Sequence, residues 1–130
     1  NEVDLEILRK AAWEDGKRVW LPKVDGKQME FHFFGPESRL EEGAYGILEP
    51  EAGQVLVPGE ATLVVMPGAV FSKSHDRIGY GGGYCDRYLS EHPQCRTMAV
   101  CHDLQIVDDL PAEEHDIRPD AIVSEEQILL

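Results

Sequence analysis

Between Gly79 and Gly83, four of five residues are glycine, within the stretch Arg77-Ile78-Gly79-Tyr80-Gly81-Gly82-Gly83-Tyr84-Cys85-Asp86-Arg87. Such a density of residues without a Cβ is unsuited to the interior of a helix or a strand, because glycine loses the most backbone freedom on ordering. It suits a turn whose N–H groups face inward and approach a ligand closely. Upstream lies Ala61-Thr62-Leu63-Val64-Val65-Met66, the strongest buried-strand signal in the chain. A continuous apolar run of that kind predicts a central strand covered on both faces. Downstream, Tyr84 to Glu91 carries a helical pattern. Strand, glycine turn and helix in that order aim a helix N-terminus at the turn, which favours an anion, typically phosphate. Arg77 is placed to add a bidentate contact, and Asp86, in the first helical turn, to hold magnesium beside the phosphates. The known phosphate fingerprints do not apply. No Lys-Ser or Lys-Thr follows the glycines, and neither glycine register completes GxGxxG. On composition alone, a flexible glycine-rich surface loop remains the alternative.

The rest of the chain supplies alternating elements. Leu5, Leu8 and Ala12 have helical spacing within Leu5 to Trp13, and Gly16 is a natural stop. A strand is expected over Arg18 to Leu21, ended by Pro22, and another over Met29 to Phe34, where apolar residues recur with period two. Gly35 to Gly59 is punctuated by Gly and Pro, and is expected to be loop with one helical turn near Pro36 to Leu40. Further strands are expected at Thr97 to Cys101 and Ala121 to Val123. Strands alternating with helices indicate an α/β fold, with residues 1–130 as a single domain: a mostly parallel open sheet flanked by helices.

Charge and cysteines narrow the partners. Twelve basic against twenty-five acidic residues give a net charge of −13, which disfavours duplex nucleic acid and anionic membrane surfaces as partners. It does not oppose a small anion held in a local site. No apolar run approaches the ~20 residues that span a bilayer. Cys85, Cys95 and Cys101 form no CxxC pair and leave one cysteine over in any disulfide scheme, so a reducing cytoplasm is the economical location. The spacing of Cys95 and Cys101 with His92 and His102 matches no standard zinc site. Cys85, at a helix start, is expected to serve packing, with a lowered thiol pKa as the alternative. His32, His75, His92 and His102 are expected at the surface, His115 as structural or solvent-facing, and Trp13 and Trp20 in the core.

Met66-Pro67-Gly68, Phe71 and Arg77 through Leu89 together closely resemble the signature of the 5-formyltetrahydrofolate cyclo-ligase family. Leu110-Pro111-Ala112-Glu113-Glu114-His115-Asp116, followed by Asp120, is similar to that family's second motif, and Glu2-Val3-Asp4, Lys17 to Pro22 and Tyr45 to Pro50 fall in register with it. The resemblance implies an ATP- and magnesium-dependent ring closure, in which 5-formyltetrahydrofolate becomes 5,10-methenyltetrahydrofolate and ADP and phosphate are released. It implies that Arg77, Gly79, Tyr80, Gly81, Gly82, Gly83, Tyr84 and Cys85 contact ATP, with Arg77 and Tyr84 in catalytic positions. Glu2, Tyr45 and residues Tyr80 to Tyr84 would border the folate, and Asp86 and Asp116 would bind magnesium. A carboxylate at Glu2 suits a pterin, since it accepts two parallel N–H donors.

Several positions depart from the family pattern. Cys85 stands in place of a tyrosine, and Ser72 and His75 in place of an aspartate and a glycine, so an altered loop before Arg77 is expected. Arg87 is expected to point along its helix away from the ligand. The family carries a further segment upstream of Glu2 with basic residues for the phosphates, so the chain is expected to be incomplete at its N-terminus and, alone, to bind ATP weakly and turn over slowly. A monomer acting on a small folate, with neither nucleic acid nor membrane as partner, is the expectation. Two other readings stand beside it. One is a nucleotide- or folate-binding protein without turnover, and the other a related ATP-dependent enzyme with a different substrate.

Overall fold

The computed structural model describes residues 3–43, 48–51, 53–79, 83–111 and 117–130. The chain forms two compact units, one of residues 4–57 and the other of residues 58–130 with residues 1–3.

In the first unit, α1 (Glu6–Glu14) begins where the Glu6 N–H donates to Asp4 Oδ1 at 2.9 Å. Gly16 ends it at φ +76°, as its position in the sequence leads one to expect. The Trp13 indole N–H donates to the Phe34 carbonyl at 3.1 Å, giving the half-buried ring a polar anchor. Strands β1 (Trp20–Asp25) and β2 (Gln28–Phe33) pair antiparallel, with Trp20 opposite Phe33 and Asp25 opposite Gln28. Gly26, at φ +62°, supplies the positive φ that their tight connection needs. The first strand thus runs through Pro22 instead of ending there. Its partner Phe31 turns its carbonyl away from β1 toward the Leu56 N–H, so Pro22 falls at a position where the β1–β2 ladder requires no donor.

The helical turn expected at Pro36 to Leu40 does not form. The Ser38 hydroxyl accepts the Gly35 N–H at 2.9 Å and closes a local turn, and β3 (Leu40–Glu42) then pairs antiparallel with β4 (Leu48–Pro50). The buried Glu49 carboxylate of β4 accepts the Val24 N–H at 2.7 Å and so ties this hairpin to β1.

The second unit contains β5 (Leu63–Met66), β6 (Val70–Ser72), β7 (Arg77–Ile78), α2 (Tyr84–Glu91), β8 (Arg96–Val100), a 3-10 turn (Asp103–Gln105), β9 (Ile106–Val107), β10 (Ala121–Val123) and β11 (Ile128–Leu129). A four-stranded sheet has the order β11-β10-β8-β5, with β5, β8 and β10 parallel and β11 antiparallel. A three-stranded sheet has the order β7-β6-β9, with β6 parallel to β9 and antiparallel to β7. The expected α/β class with parallel pairing holds. One expectation fails: among the described residues β5 is an edge strand, and β8 takes the centre. Val64 and Met66 face the interior while Leu63 is 53% exposed, so the apolar run reflects one buried face rather than two.

Phe71, Ala99, Cys101 and Ile122 form the core of this unit, with Ile106 and Leu129 packed against them. Close approach to that core fixes the residue at position 68. A Cβ on Gly68 would lie 2.5 Å from Cζ of the fully buried Phe71 ring. Gly68→Ala is therefore expected to cost about 1–3 kcal/mol, the usual cost of overpacking. Urea unfolding checks this, and an unchanged midpoint would show that the Phe71 ring yields freely.

Candidate active site

The glycine stretch lies between β7 and α2, and both ends of it are organised around arginines. Arg77 ends up buried, with only 5% of its side chain exposed. Its Nε donates to the Pro67 carbonyl at 2.8 Å, and its Nη1 donates to Asp86 Oδ1 at 2.9 Å. A guanidinium withdrawn from water needs such partners, because an unpaired buried charge is prohibitively costly. Gly79 leaves room for it, since a Cβ there would come within 3.1 Å of Arg77 Nη2. At the far end Gly83 caps α2 at φ 68° and, being glycine, offers no side-chain oxygen to the first-turn N–H groups.

Arg87 does not point away down the helix. Its guanidinium carbon lies 4.9 Å from the centre of the Tyr84 ring, and a Cβ on Gly83 would sit 2.8 Å from Arg87 Nη1. Long helical side chains lean toward the N-terminus, and this one covers the turn before its own. Two arginines therefore flank the glycines. Tyr84 presents its ring to Arg87, while Cys85, Tyr88 and Leu89 form the buried face of α2.

Asp86 joins three elements. The same Oδ1 that holds Arg77 also accepts the Ile117 N–H at 3.0 Å. The three following residues are tied down in turn. Arg118 Nε donates to Asp76 Oδ1 at 2.9 Å, the Pro119 carbonyl lies 2.7 Å from His75 Nδ1, and Asp120 exchanges hydrogen bonds with Thr97 through its N–H and its carboxylate. Sequence reasoning missed Asp76 and Arg118, and it placed His75 at the surface where the structure half-buries it; their partners lie more than forty residues away along the chain. It also missed Gln105, whose Nε2 donates to the Gly68 and Ala69 carbonyls at 3.1 Å each, beside the Pro67 carbonyl that Arg77 uses. At the departures from the family pattern, Ser72 Oγ accepts the Ser74 and Asp76 N–H groups, and His75 adopts φ 69°, a conformation suited to glycine.

Of the other residues singled out from the sequence, Glu2, Tyr45, Tyr80, Gly81, Gly82 and Asp116 lie outside the described residues. No group of three His, Cys, Asp or Glu is arranged to hold a metal ion among the described residues. A lone carboxylate of the Asp86 kind still fits magnesium carried on a triphosphate, because that ion keeps its waters and takes only one or two protein carboxylates.

Cys85 is not the activated thiol that a helix start can produce. Burial pushes it up to about 11, outweighing the nearby Arg77, and Asp86 pushes in the same direction as burial. Its role is packing on the inner face of α2. Relative to an ordinary exposed thiol, the thiolate fraction at neutral pH should be lower by roughly a hundredfold, and iodoacetamide should label Cys85 correspondingly slowly. Labelling followed by mass spectrometry from pH 7 upward checks this. A rate that levels off below pH 9 would place the titration elsewhere.

The pattern defining the 5-formyltetrahydrofolate cyclo-ligase family matches residues 1–125. Over 134 residues the chain is 31% identical to the 5-formyltetrahydrofolate cyclo-ligase of Escherichia coli K12, an alignment covering 98% of this chain and 74% of that protein. The mouse 5-formyltetrahydrofolate cyclo-ligase is 29% identical over 140 residues, covering 97% of this chain and 69% of the relative. In three dimensions, the NMR structure of Aquifex aeolicus 5,10-methenyltetrahydrofolate synthetase superposes with a TM-score of 0.81 at 32% identity. That match covers 98% of this chain but 64% of the Aquifex chain. The matched pattern and the superposed fold agree, and the chain belongs to the 5-formyltetrahydrofolate cyclo-ligase family, a family of ligases.

Proposed function

We propose that this protein closes the ring of 5-formyltetrahydrofolate to give 5,10-methenyltetrahydrofolate, using ATP with magnesium and releasing ADP and phosphate. The observation that carries the reading is the family match over residues 1–125, which spans the glycine motif and its two flanking arginines. The chemistry demands ATP. A formyl oxygen leaves poorly until it is phosphorylated, after which the neighbouring folate nitrogen attacks the activated carbon and phosphate departs. No enzyme nucleophile is needed, so the protein's work is positioning and charge stabilisation.

In this reading Arg77, Gly79, Tyr80, Gly81, Gly82, Gly83, Tyr84 and the backbone of Cys85 line the triphosphate side. Glu2, Tyr45 and Tyr80 to Tyr84 border the folate. Arg77 and Tyr84 stand nearest the transferring group. Two local features support the phosphate assignment. Helix α2 starts on a glycine cap, leaving its first-turn N–H groups to a partner other than a capping side chain. Arg87 places a second guanidinium over that same turn. Magnesium, held by Asp86 and Asp116, would neutralise charge on the phosphates as they separate. Among the described residues no helix is long and apolar enough to cross a membrane. The cysteine usage of the sequence favours a reducing compartment, and we take the working form to be a monomer in the cytoplasm.

The direct test mixes the protein with ATP, magnesium and 5-formyltetrahydrofolate and follows the absorbance of the methenyl product together with ADP. ATP binding without product would favour the non-catalytic reading instead.

Arg77→Ala should weaken ATP binding by about 1.5–3 kcal/mol, the range for a hydrogen bond to a charged group. It should also lower stability by about 3 kcal/mol or more, because it leaves Asp86 without its cation. Calorimetry and urea unfolding separate the two effects. A folded variant with wild-type ATP affinity would remove Arg77 from the nucleotide site.

Asp86→Asn keeps an oxygen for the Ile117 N–H but loses the charge. The magnesium concentration giving half-maximal rate should rise roughly tenfold. Should that concentration stay at its wild-type value, Asp86 is an anchor for Arg77 and nothing more.

A further inference from the structure

His75 is the one non-glycine residue with positive φ among the described residues, at 69°. A side chain in that region is strained unless its surroundings hold it there. What holds it is visible. The His75 N–H donates to the Ser72 carbonyl at 2.9 Å, closing the turn between β6 and β7, and its Nδ1 meets the Pro119 carbonyl at 2.7 Å. A carbonyl only accepts, so Nδ1 carries the proton in that bond. The neighbouring Asp76, 7% exposed, takes the Arg118 guanidinium through Oδ1, and its Oδ2 lies 3.4 Å from the Ser72 hydroxyl.

These contacts close a ring. From Arg77 it passes to Asp86, from Asp86 to the Ile117 N–H, along the backbone to Arg118 and Pro119, and back through Asp76 and His75 to Arg77. Three elements meet in it: β7, α2 and the strap of residues 117–120 that leads into β10. Shifting any one of them strains the others, so the ring adds a constraint to the two hydrogen bonds that Arg77 makes itself.

We propose that His75 is a positioning residue of the active site, fastening the strap to the turn before β7 and so holding the Arg77–Asp86 pair in place. This rests on the reading of Arg77 as a phosphate contact. At φ 69°, a conformation glycine would adopt without strain, His75 places its Nδ1 within hydrogen-bond distance of the Pro119 carbonyl.

The test compares His75→Gly with His75→Asn in the full natural chain. Glycine adopts the same φ without strain, so that variant folds, but it has no donor. Asparagine tolerates the left-handed region, and its Nδ2 stands as many bonds from Cβ as Nδ1 of histidine does. His75→Gly is expected to lower kcat roughly tenfold, as loss of a supporting contact does, with KM for 5-formyltetrahydrofolate unchanged. Amide exchange at Ile117 and Asp120 should quicken relative to β8. His75→Asn should recover most of both. Wild-type kcat in His75→Gly would overturn the proposal. So would slowed turnover with unaltered exchange at 117 and 120, or asparagine faring no better than glycine. A wild-type chain that makes no product would instead overturn the cyclo-ligase reading. ATP affinity then replaces kcat, and equal affinity in wild type and His75→Gly would overturn the role of His75 as well.

Discussion

The Arg77–Asp86 ion pair is the constraint around which the second unit is arranged. Only 5% of the Arg77 side chain is exposed, so the fold must supply partners for its guanidinium in order to bury it. Pro67 offers a carbonyl from the turn after β5, and Asp86 a carboxylate from the first turn of α2. Such a pair adds little net stability, because desolvation offsets most of the attraction. Breaking it is expensive, at about 3–5 kcal/mol when one partner is removed. Its contribution is therefore geometric: β7, α2, the 67–69 turn and residue 117 are brought into one arrangement. Asp86 also suits its place electrostatically, since a carboxylate in the first helical turn complements the helix dipole.

The glycines then acquire a second meaning. Glycine density suggests backbone opened toward a ligand, yet at Gly79 and Gly83, and at Gly68 before them, a side chain of the protein itself claims the space. A Cβ would meet Arg77 at Gly79, Arg87 at Gly83 and the Phe71 ring at Gly68. These residues are small so that two arginines and one core aromatic can lie against the backbone. Gln105 completes the support by taking the Gly68 and Ala69 carbonyls. The three consecutive carbonyls of residues 67–69 are thus held by side chains from two different elements, and the turn that anchors Arg77 has little freedom.

How much of this could be read from the sequence follows from the range of each interaction. Helix α2 was legible to its boundaries, because Gly83 and the inward spacing of Cys85, Tyr88 and Leu89 are local signals. So were β8 and β10, whose apolar runs pack on the Phe71 core. Strand β3 was not, since Leu40-Glu41-Glu42 is exposed along its length and carries no apolar pattern. The two-residue strands β7, β9 and β11 are too short for any periodicity to register. At the site, Arg77 and Asp86 stand nine residues apart in one motif and both drew attention in the sequence, but their pairing with each other did not. Arg118 with Asp76 and His75 with Pro119 are tertiary pairings, 42 and 44 residues apart, and neither residue type nor spacing announces them.

The direction of Arg87 matters most for the charge balance. A chain of net charge −13 offers a polyphosphate no general attraction, so attraction must be local. Arg77 supplies donors but little net positive potential, because Asp86 sits 2.9 Å from it and cancels most of its field at a distance. The first turn of α2 carries the partial positive charge of aligned peptide dipoles. Arg87, folded back over Tyr84, brings a second guanidinium to the same end. The two arginines thus differ in setting: Arg77 is a hydrogen-bonded group inside the fold, and Arg87 lies over the Tyr84 ring at the start of α2.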